Sequence, residues 1–195
     1  MMQAHVEAGL ALATEHGFAR FVAHGTFLRG RVLALQGQHA DGIRPMRQGL
    51  AALRATGTAV GMPSFLAHLA EAYGQVGQVD AGLSLMAEAL ALVDTTGERL
   101  YEAELHRLHG ALRLRQAVSD TLVAAACFQQ ALDVARRQQA KSWELRAAMS
   151  LARLWQQQGK HAEAHELLAP VYGWFTEGFD TADLQEAKAL LDALA

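Results

Sequence analysis

The chain has 195 residues, of which 51% are hydrophobic and 19% charged, with a formal net charge of −3. This balance is ordinary for a folded protein and gives no support to binding of nucleic acid or another polyanion. Charged residues and glycines break every apolar stretch before it reaches the roughly 20 residues of a membrane span, and no secretion signal opens the chain, so no membrane association is expected. The lone Cys127 excludes an internal disulfide and favours a cytoplasmic location.

Ala and Leu dominate the sequence, which contains a single Ile and three Pro, and this predicts an all-α fold. A pattern with a step of 40 residues then sets the architecture. It comprises Gly30, Leu33, Gly37, Gly42, Met46, Gly49 and Leu50, then Ala70, Tyr73, Gly77, Gly82, Met86, Ala89 and Leu90, with a weaker earlier copy at Met2, Val6, Gly9 and Leu10. Fixed-period similarity of this kind is typical of stacked helical repeats.

In chain order, helices are predicted over 2–16, 18–36, 40–55, 63–76, 79–95, 98–117 and 122–138, then as a fourth pair within 140–178 and a last helix over 182–194. Gly17, Gly57 and Gly97 recur at the same step and are expected to end helices in the left-handed conformation. Two extra residues in the segment 118–121 lengthen the step to 42 in the third pair.

These elements predict one continuous array over 1–195. Its parts are the second helix of a truncated repeat at 1–17, repeats at 18–57, 58–97, 98–139 and 140–178, and a capping helix at 179–195. The half repeat at the start leads us to expect a piece, or the remnant, of a longer protein. Small residues at Gly30, Gly42 and their counterparts are predicted to let paired helices cross closely.

The segments LAEAYGQVG (69–77), LARLWQQQG (151–159) and GKHAEA (159–164) resemble the tetratricopeptide family. The resemblance covers nearly the whole chain and implies a right-handed superhelical solenoid of antiparallel helix pairs. The step departs from the family, whose repeat is about 34 residues, so the helices are expected to be longer. HEAT-type repeats are the second choice, because they have about the right length but lack the Gly-turn-Ala arrangement.

The segments 126–155 and 168–184 resemble the C-terminal ends of large bacterial signalling proteins, in which tetratricopeptide repeats follow a regulatory ATPase joined to an adenylate/guanylate cyclase or a DNA-binding domain. The resemblance implies that this chain is the repeat region alone. No Gly-rich loop ending in Gly-Lys-Ser/Thr is present, so nucleotide chemistry is not transferred to these residues.

Candidate chemical sites are few. His161 and His165 have metal-ligand spacing on a helix near two Glu, but a solvated helix start is the preferred interpretation, as it is for His106 and His109. Cys127 is predicted to be a buried, inert thiol. No Ser/His/Asp arrangement indicates a nucleophile, so we expect no enzyme, no cofactor and no metal.

The remaining candidate is the concave groove that the tetratricopeptide resemblance implies. Its predicted lining is His24, Phe27, Arg31, Glu71, Glu104, Arg107, Arg115, Arg146, Met149 and Arg153, and the predicted binding residues among them are Phe27, Arg31, Arg107, Arg115, Arg146 and Arg153. Five Arg against two Glu favour an acidic or phosphorylated peptide, or an acidic face of an attached domain, although an ordinary solvated face is an open alternative. Tetratricopeptide domains that bind the C-terminal carboxylate of a partner use Asn residues in the groove, and this chain contains no Asn, which counts against that mode of binding.

The expected function is a non-catalytic protein-interaction and regulatory module, the sensor-transmitter part of a signalling ATPase or cyclase. Two alternatives are open: a small-molecule inducer sensor, which an enclosed cavity would favour, and an oligomerisation surface that pairs the first helix with a second copy.

Overall fold

The computed structural model describes residues 2–116 and 120–195, which form ten α-helices and no β-strand. In order, they are α1 Met2–Glu15, α2 Ala19–Leu35, α3 His39–Ala55, α4 Met62–Gln75, α5 Val79–Thr96, α6 Glu102–Gln116, α7 Thr121–Arg137, α8 Lys141–Gln157, α9 His161–Tyr172 and α10 Ala182–Leu194. The predicted all-α class is confirmed. The predicted helix end at 117 and part of the predicted insertion at 118–121 lie outside the described residues.

The chain divides into two compact units, 1–99 and 100–195. In the first, α2 packs on α3 and α4 packs on α5; in the second, α6 packs on α7 and α8 packs on both α7 and α9. The division of 1–195 into one array with the repeat bounds given above stays a prediction. Within the described ranges, no helix combines the length and apolar character that crossing a lipid bilayer requires.

The repeat register is visible in burial. The bulky position of each second helix is almost fully buried, at Met46, Met86, Phe128 and Leu168. The small position four residues earlier is buried as well, at Gly42, Gly82, Ala124 and Ala164. The 40-residue step and its lengthening to 42 therefore describe the core correctly.

Helix pairs cross closely where the small residues lie. A Cβ on Gly30 of α2 would overlap the carbonyl oxygen of Gly42 of α3, and a Cβ on Gly49 would lie 2.5 Å from the Phe27 nitrogen. In the second unit, a Cβ on Gly110 of α6 would lie 2.7 Å from the Phe128 ring. The predicted close crossing is confirmed. At Gly30 and Gly49 it requires glycine because a Cβ would meet backbone, and at Gly110 a Cβ would meet the Phe128 ring.

The sixth helix begins at Glu102, and the predicted start at 98 is wrong. Both carboxylate oxygens of Glu98 lie 3.0 Å from the Gly61 nitrogen, whose N–H they accept. Gly61 has a left-handed φ of 82° immediately before α4. Glu98 therefore caps the segment before α4 instead of entering a helix of its own.

Left-handed residues end the helices as predicted, with φ of 68° at Gly17, 72° at Gly57 and 73° at Gly97. The same place after α7 is taken by Gln139, which is exposed and has a φ of 54°. A residue with a Cβ is strained in this conformation by about 1–2 kcal/mol.

We expect Gln139→Gly to stabilise the protein by up to about 1 kcal/mol, because relief of the strain exceeds the added entropy of the unfolded chain. Urea denaturation would measure the free energy of unfolding. Gln158→Gly is the matched control, since Gln158 follows α8 with an ordinary φ of −90° and gains nothing from glycine. A Gln139→Gly protein no more stable than wild type would contradict the strain.

Candidate functional site

Two of the residues predicted to line the groove are in the core. Phe27 is fully buried, with its ring edge-to-face on Phe65 at a centroid distance of 4.9 Å, and Met149 is also buried. The prediction of Phe27 at an exposed, groove-lining position is wrong, because Phe27 is fully buried and its backbone and Cβ lie against Gly49 where α2 crosses α3. The tetratricopeptide resemblance implies an exposed side of the helix for Phe27, whereas the structure buries it.

In the first unit, the predicted groove residues Arg31 and Glu71 bind each other. Arg31 Nη1 of α2 donates to Glu71 Oε2 of α4 at 2.9 Å. This ion pair connects the first helix of the α2–α3 pair to the first helix of the α4–α5 pair. His24 packs edge-on against Phe65, and burial, with a smaller contribution from Arg20, lowers the pKa of its imidazole. The neutral form of His24 is therefore favoured near neutral pH.

In the second unit, Glu104 of α6 is 4% exposed and anchors two predicted arginines. Arg107 donates from Nε and Nη2 to the two Glu104 oxygens at 2.7 and 2.8 Å, a bidentate pair within one helix turn. Arg146 Nη1 of α8 approaches Glu104 Oε1 at 3.5 Å. Such a buried, charge-assisted arrangement fixes the side chains in one geometry.

Arg146 continues the network to the last helix. Its Nε donates to Asp183 Oδ2 of α10 at 2.7 Å, and its guanidinium carbon lies 5.3 Å from the centroid of the Trp143 ring. Burial acts to lower the pKa of Arg146, but the hydrogen bond to Asp183 and the charge of Glu104 outweigh it and raise the pKa. Arg146 therefore joins α6, α8 and α10 as a permanent cation.

Arg153 makes the most accessible of these pairs. Its Nη2 donates to Glu186 Oε2 at 2.8 Å, with 45% of the Arg153 side chain and 58% of the Glu186 side chain exposed. Arg115 is exposed in the last turn of α6. We call the set Glu104, Arg107, Arg146, Arg153, Asp183 and Glu186 the charged face.

The charged face holds three arginines and three carboxylates, whereas the sequence predicted an excess of arginine. Asp183 and Glu186 are not among the predicted site residues, because the sequence identifies α10 only as a capping helix. The sequence does contain a signal for these two acids. Asp183 and Glu186 are three residues apart near the start of a helix, and residues three apart share a helix face. They follow Arg146 by 37 residues and Arg153 by 33 residues, respectively.

An apolar groove lies between α1 and α2 in the first unit. It has a volume of about 370 Å³ and is open to solvent. Its lining consists of Met2, His5, Val6, Gly9, Leu10, Phe21, His24, Gly25 and Leu28. Met2 is 59% and Phe21 61% exposed, and both line this groove, so the groove is a cluster of exposed apolar side chains of the kind that marks interaction surfaces.

The histidine pair and the cysteine singled out in the sequence are not parts of a larger reactive cluster among the described residues. His161 and His165 are exposed at the start of α9, and the described part of the chain contains no group of three His, Cys, Asp or Glu that could hold a metal ion. Cys127 is half-buried, not fully buried as predicted, with its sulfur 3.9 Å from His109 Nδ1. Burial raises the pKa of the Cys127 thiol, against a smaller opposing effect of Arg113.

Glu144 fixes the first turn of α8. It is 5% exposed and accepts hydrogen bonds from Lys141 Nζ at 2.7 Å and from Arg136 Nε of α7 at 3.0 Å. Burial acts to raise the pKa of Glu144, but the two cations outweigh it and hold the pKa below its ordinary value. The pair of Arg136 and Lys141 thus locks the α7–α8 junction that carries the charged face.

No protein family model matches the chain. An uncharacterized protein of Rhizobium meliloti (strain 1021) is 30% identical over 115 residues, which are 59% of this chain and 11% of that protein. The chain therefore spans about a tenth of the length of this relative.

Solved structures define the class of fold. A kinesin light chain-like protein of Podosopora anserina, with nearly identical tetratricopeptide-like repeats, matches with a TM-score of 0.64 at 19% identity over 88% of this chain and 84% of that chain. A substituted variant of the same protein matches with a TM-score of 0.63 at 18% identity over the same shares. The chain is an all-helical protein whose fold resembles tetratricopeptide-like repeat solenoids; identities this low show the fold alone.

Glu144→Gln is expected to lower the free energy of unfolding by about 1–3 kcal/mol at pH 7, since it removes the charge that Arg136 and Lys141 bind. A lowered folded-state pKa stabilises the protein above the unfolded value of about 4.3, and this stability is lost as pH falls through the folded value. The difference between Glu144→Gln and wild type should therefore shrink between pH 5 and pH 3 in urea titrations. Glu163→Gln, at an exposed carboxylate of α9, is the control; a deficit independent of pH would contradict the ionic role.

Cys127 is expected to react with iodoacetamide severalfold more slowly in the folded protein than in urea at pH 7.5, because the thiolate is the nucleophile and burial disfavours it. The rate should rise steeply as pH increases through the alkaline range. Mass spectrometry of quenched samples would measure it. Equal rates in folded and unfolded protein would show that burial does not protect this thiol.

Proposed function

We propose that the chain is a non-catalytic protein-binding module, and that the charged face of the second unit contacts the partner. The observation that supports this most directly is the fixed geometry of the arginines on α6 and α8. Side chains already held in one conformation lose little entropy on binding, so they favour recognition of a polypeptide.

The contacts of the charged face differ in how easily they can be exchanged. The bidentate pair of Arg107 with buried Glu104 is structural, since breaking it would leave a buried charge unpaired. The pair of Arg153 with Glu186 is exposed, and such pairs contribute about 1 kcal/mol or less. A carboxylate or phosphate of a partner can therefore displace Glu186 and bind Arg153.

The partner class that follows is an acidic or phosphorylated peptide, or an acidic face of an attached domain. Arg146, 37% of whose side chain is exposed beside Asp183, provides a second point of attachment. Arg31 is a weaker candidate because its side chain is less exposed and already binds Glu71. Arg115 is exposed but lies at the end of α6, so it extends the surface without defining it.

We further propose that the module transmits a signal within a longer protein that contains an ATPase or a cyclase. The sequence resemblance of 126–155 and 168–184 motivates this context, and the much greater length of the Rhizobium relative is compatible with it. Between peptide and small-molecule recognition, the open form of the apolar groove favours the peptide, because inducers of drug size are bound in deep cavities that cover most of their surface.

Selection from a displayed library of random 12-residue peptides on the immobilised chain would test the proposal. We expect peptides enriched in Asp and Glu, whose affinity falls about tenfold with Arg153→Glu, since one charge-assisted contact is worth about 1.5–3 kcal/mol. Arg137→Glu, an equal charge change at the exposed end of α7, is the control.

A second variant separates binding from stability. Glu186→Ala should strengthen binding of the selected peptides, because it removes the carboxylate that competes for Arg153. If the ion pair only stabilised the fold, Glu186→Ala and Arg153→Glu would both weaken peptide binding. Failure to select any peptide above background, or equal effects of Arg153→Glu and Arg137→Glu, would overturn the proposed function.

A further inference from the structure

A pocket of about 270 Å³ opens in the second unit between the first turns of α8, the segment 173–181 and the start of α10. Leu145 of α8 and Leu184 of α10 line it and are only 1% and 4% exposed, so they form its apolar base. Phe175 adds an aromatic ring that also packs against the core of this unit. We call this cavity the α8–α10 pocket.

The loop that forms one wall of the α8–α10 pocket is held by its own contacts. Gly178 has a left-handed φ of 76°, and its carbonyl oxygen accepts hydrogen bonds from the Thr181 hydroxyl at 2.7 Å and from the Thr181 N–H at 2.9 Å. The Phe175 N–H donates to the Tyr172 carbonyl oxygen at 3.1 Å, and the Trp174 ring lies edge-on to the Phe175 ring at a centroid distance of 5.2 Å. The pocket is therefore preformed, and a ligand need not order the loop in order to bind.

Two carboxylates line the α8–α10 pocket and make it acidic. Asp183 belongs to the charged face as well, and its Oδ2 accepts a hydrogen bond from Arg146 Nε at 2.7 Å. Glu177 is exposed and makes no hydrogen bond or ion pair within the part of the chain that the structure describes. The carboxylate of Glu177 is thus available to a ligand.

The cations of α8 beside the pocket are bound elsewhere. Lys141 Nζ donates to Glu144 Oε2 at 2.7 Å and lies 5.7 Å from the centroid of the Trp174 ring. Arg146 binds two carboxylates of the charged face. None of the described residues that line the pocket is cationic, so the charge of Glu177 is not neutralised from within the chain.

We propose that the α8–α10 pocket binds an arginine side chain of the partner polypeptide. The aliphatic stem of the arginine lies on Leu145 and Leu184, and its guanidinium group pairs with Glu177 and stacks on Phe175. The volume is smaller than the roughly 300–1,000 Å³ of sites for drug-sized ligands, which favours a single side chain. This inference rests on the proposed protein-binding function and deepens it: because Asp183 belongs to both sites, the partner carries a basic residue close to its acidic one.

N-acetyl-arginine amide is the probe, and N-acetyl-citrulline amide, which has nearly the same shape without the charge, is its matched control. An NMR titration of the isotopically labelled full chain should give saturable shifts at Phe175, Gly178 and Leu184, with a dissociation constant in the millimolar range expected of one anchored side chain. The citrulline compound should bind about fivefold more weakly, because it lacks one partly exposed ion pair.

Glu177→Gln should weaken binding of the arginine probe by about fivefold and make the arginine and citrulline compounds bind alike. Glu163→Gln, the same change at an exposed carboxylate of α9, is the matched control and should bind the arginine probe as wild type does. Both changed side chains are exposed, so both variants should fold, and thermal unfolding verifies this.

The inference is overturned by the absence of saturable shifts, by shifts outside the α8–α10 pocket, or by equal binding of the arginine and citrulline compounds to wild type. Tighter binding of N-acetyl-glutamate amide would overturn it as well, because the start of α10 would then attract an anion. The arginine probe carries no carboxylate. Its failure would therefore leave the proposed contact of Arg153 with an acidic peptide untouched, and failure of that contact would be seen separately with the selected peptides.

Discussion

The close crossing of helices at small residues is the constraint on which the rest of the structure depends. At Gly30 and Gly42 the backbones of α2 and α3 are in contact, and at Gly110 the aromatic ring of α7 lies on the backbone of α6. Packing this tight leaves no room for a methyl group, and overfilled cores lose about 1–3 kcal/mol per added group. The crossing also determines which residues of a first helix are buried and which face outward.

Ion pairs connect helices that are not neighbours along the chain: α2 with α4, and α8 with both α6 and α10. Arg31 reaches Glu71 in the first unit, and Arg146 reaches Glu104 and Asp183 in the second. Exposed pairs of this kind contribute little to stability, but a buried member such as Glu104 makes the arrangement specific because it must remain paired. The residues that resembled a free basic groove are therefore part of the framework, and the accessible end at Arg153 is the part available for exchange with a partner.

Much of the fold could be predicted from sequence, because the 40-residue step reports directly which positions pack. Met46 and Met86 belong to the 40-residue pattern, and both are fully buried. The site was harder, since spacing does not give the angle at which a side chain leaves its helix, and Phe27 shows the consequence. Pairing partners were hardest to predict: Glu98 binds Gly61 across 37 residues of sequence, and neither residue type nor local periodicity indicates such a contact.

The most direct measurement of the central claim is NMR chemical-shift mapping of a display-selected acidic peptide on the isotopically labelled chain. We expect the largest changes in α8 near Arg146 and Arg153 and in α10 near Asp183 and Glu186, with α7 and α9 little affected. Changes concentrated on α7 and α9 would contradict recognition by the charged face, and an unchanged spectrum would contradict peptide binding altogether.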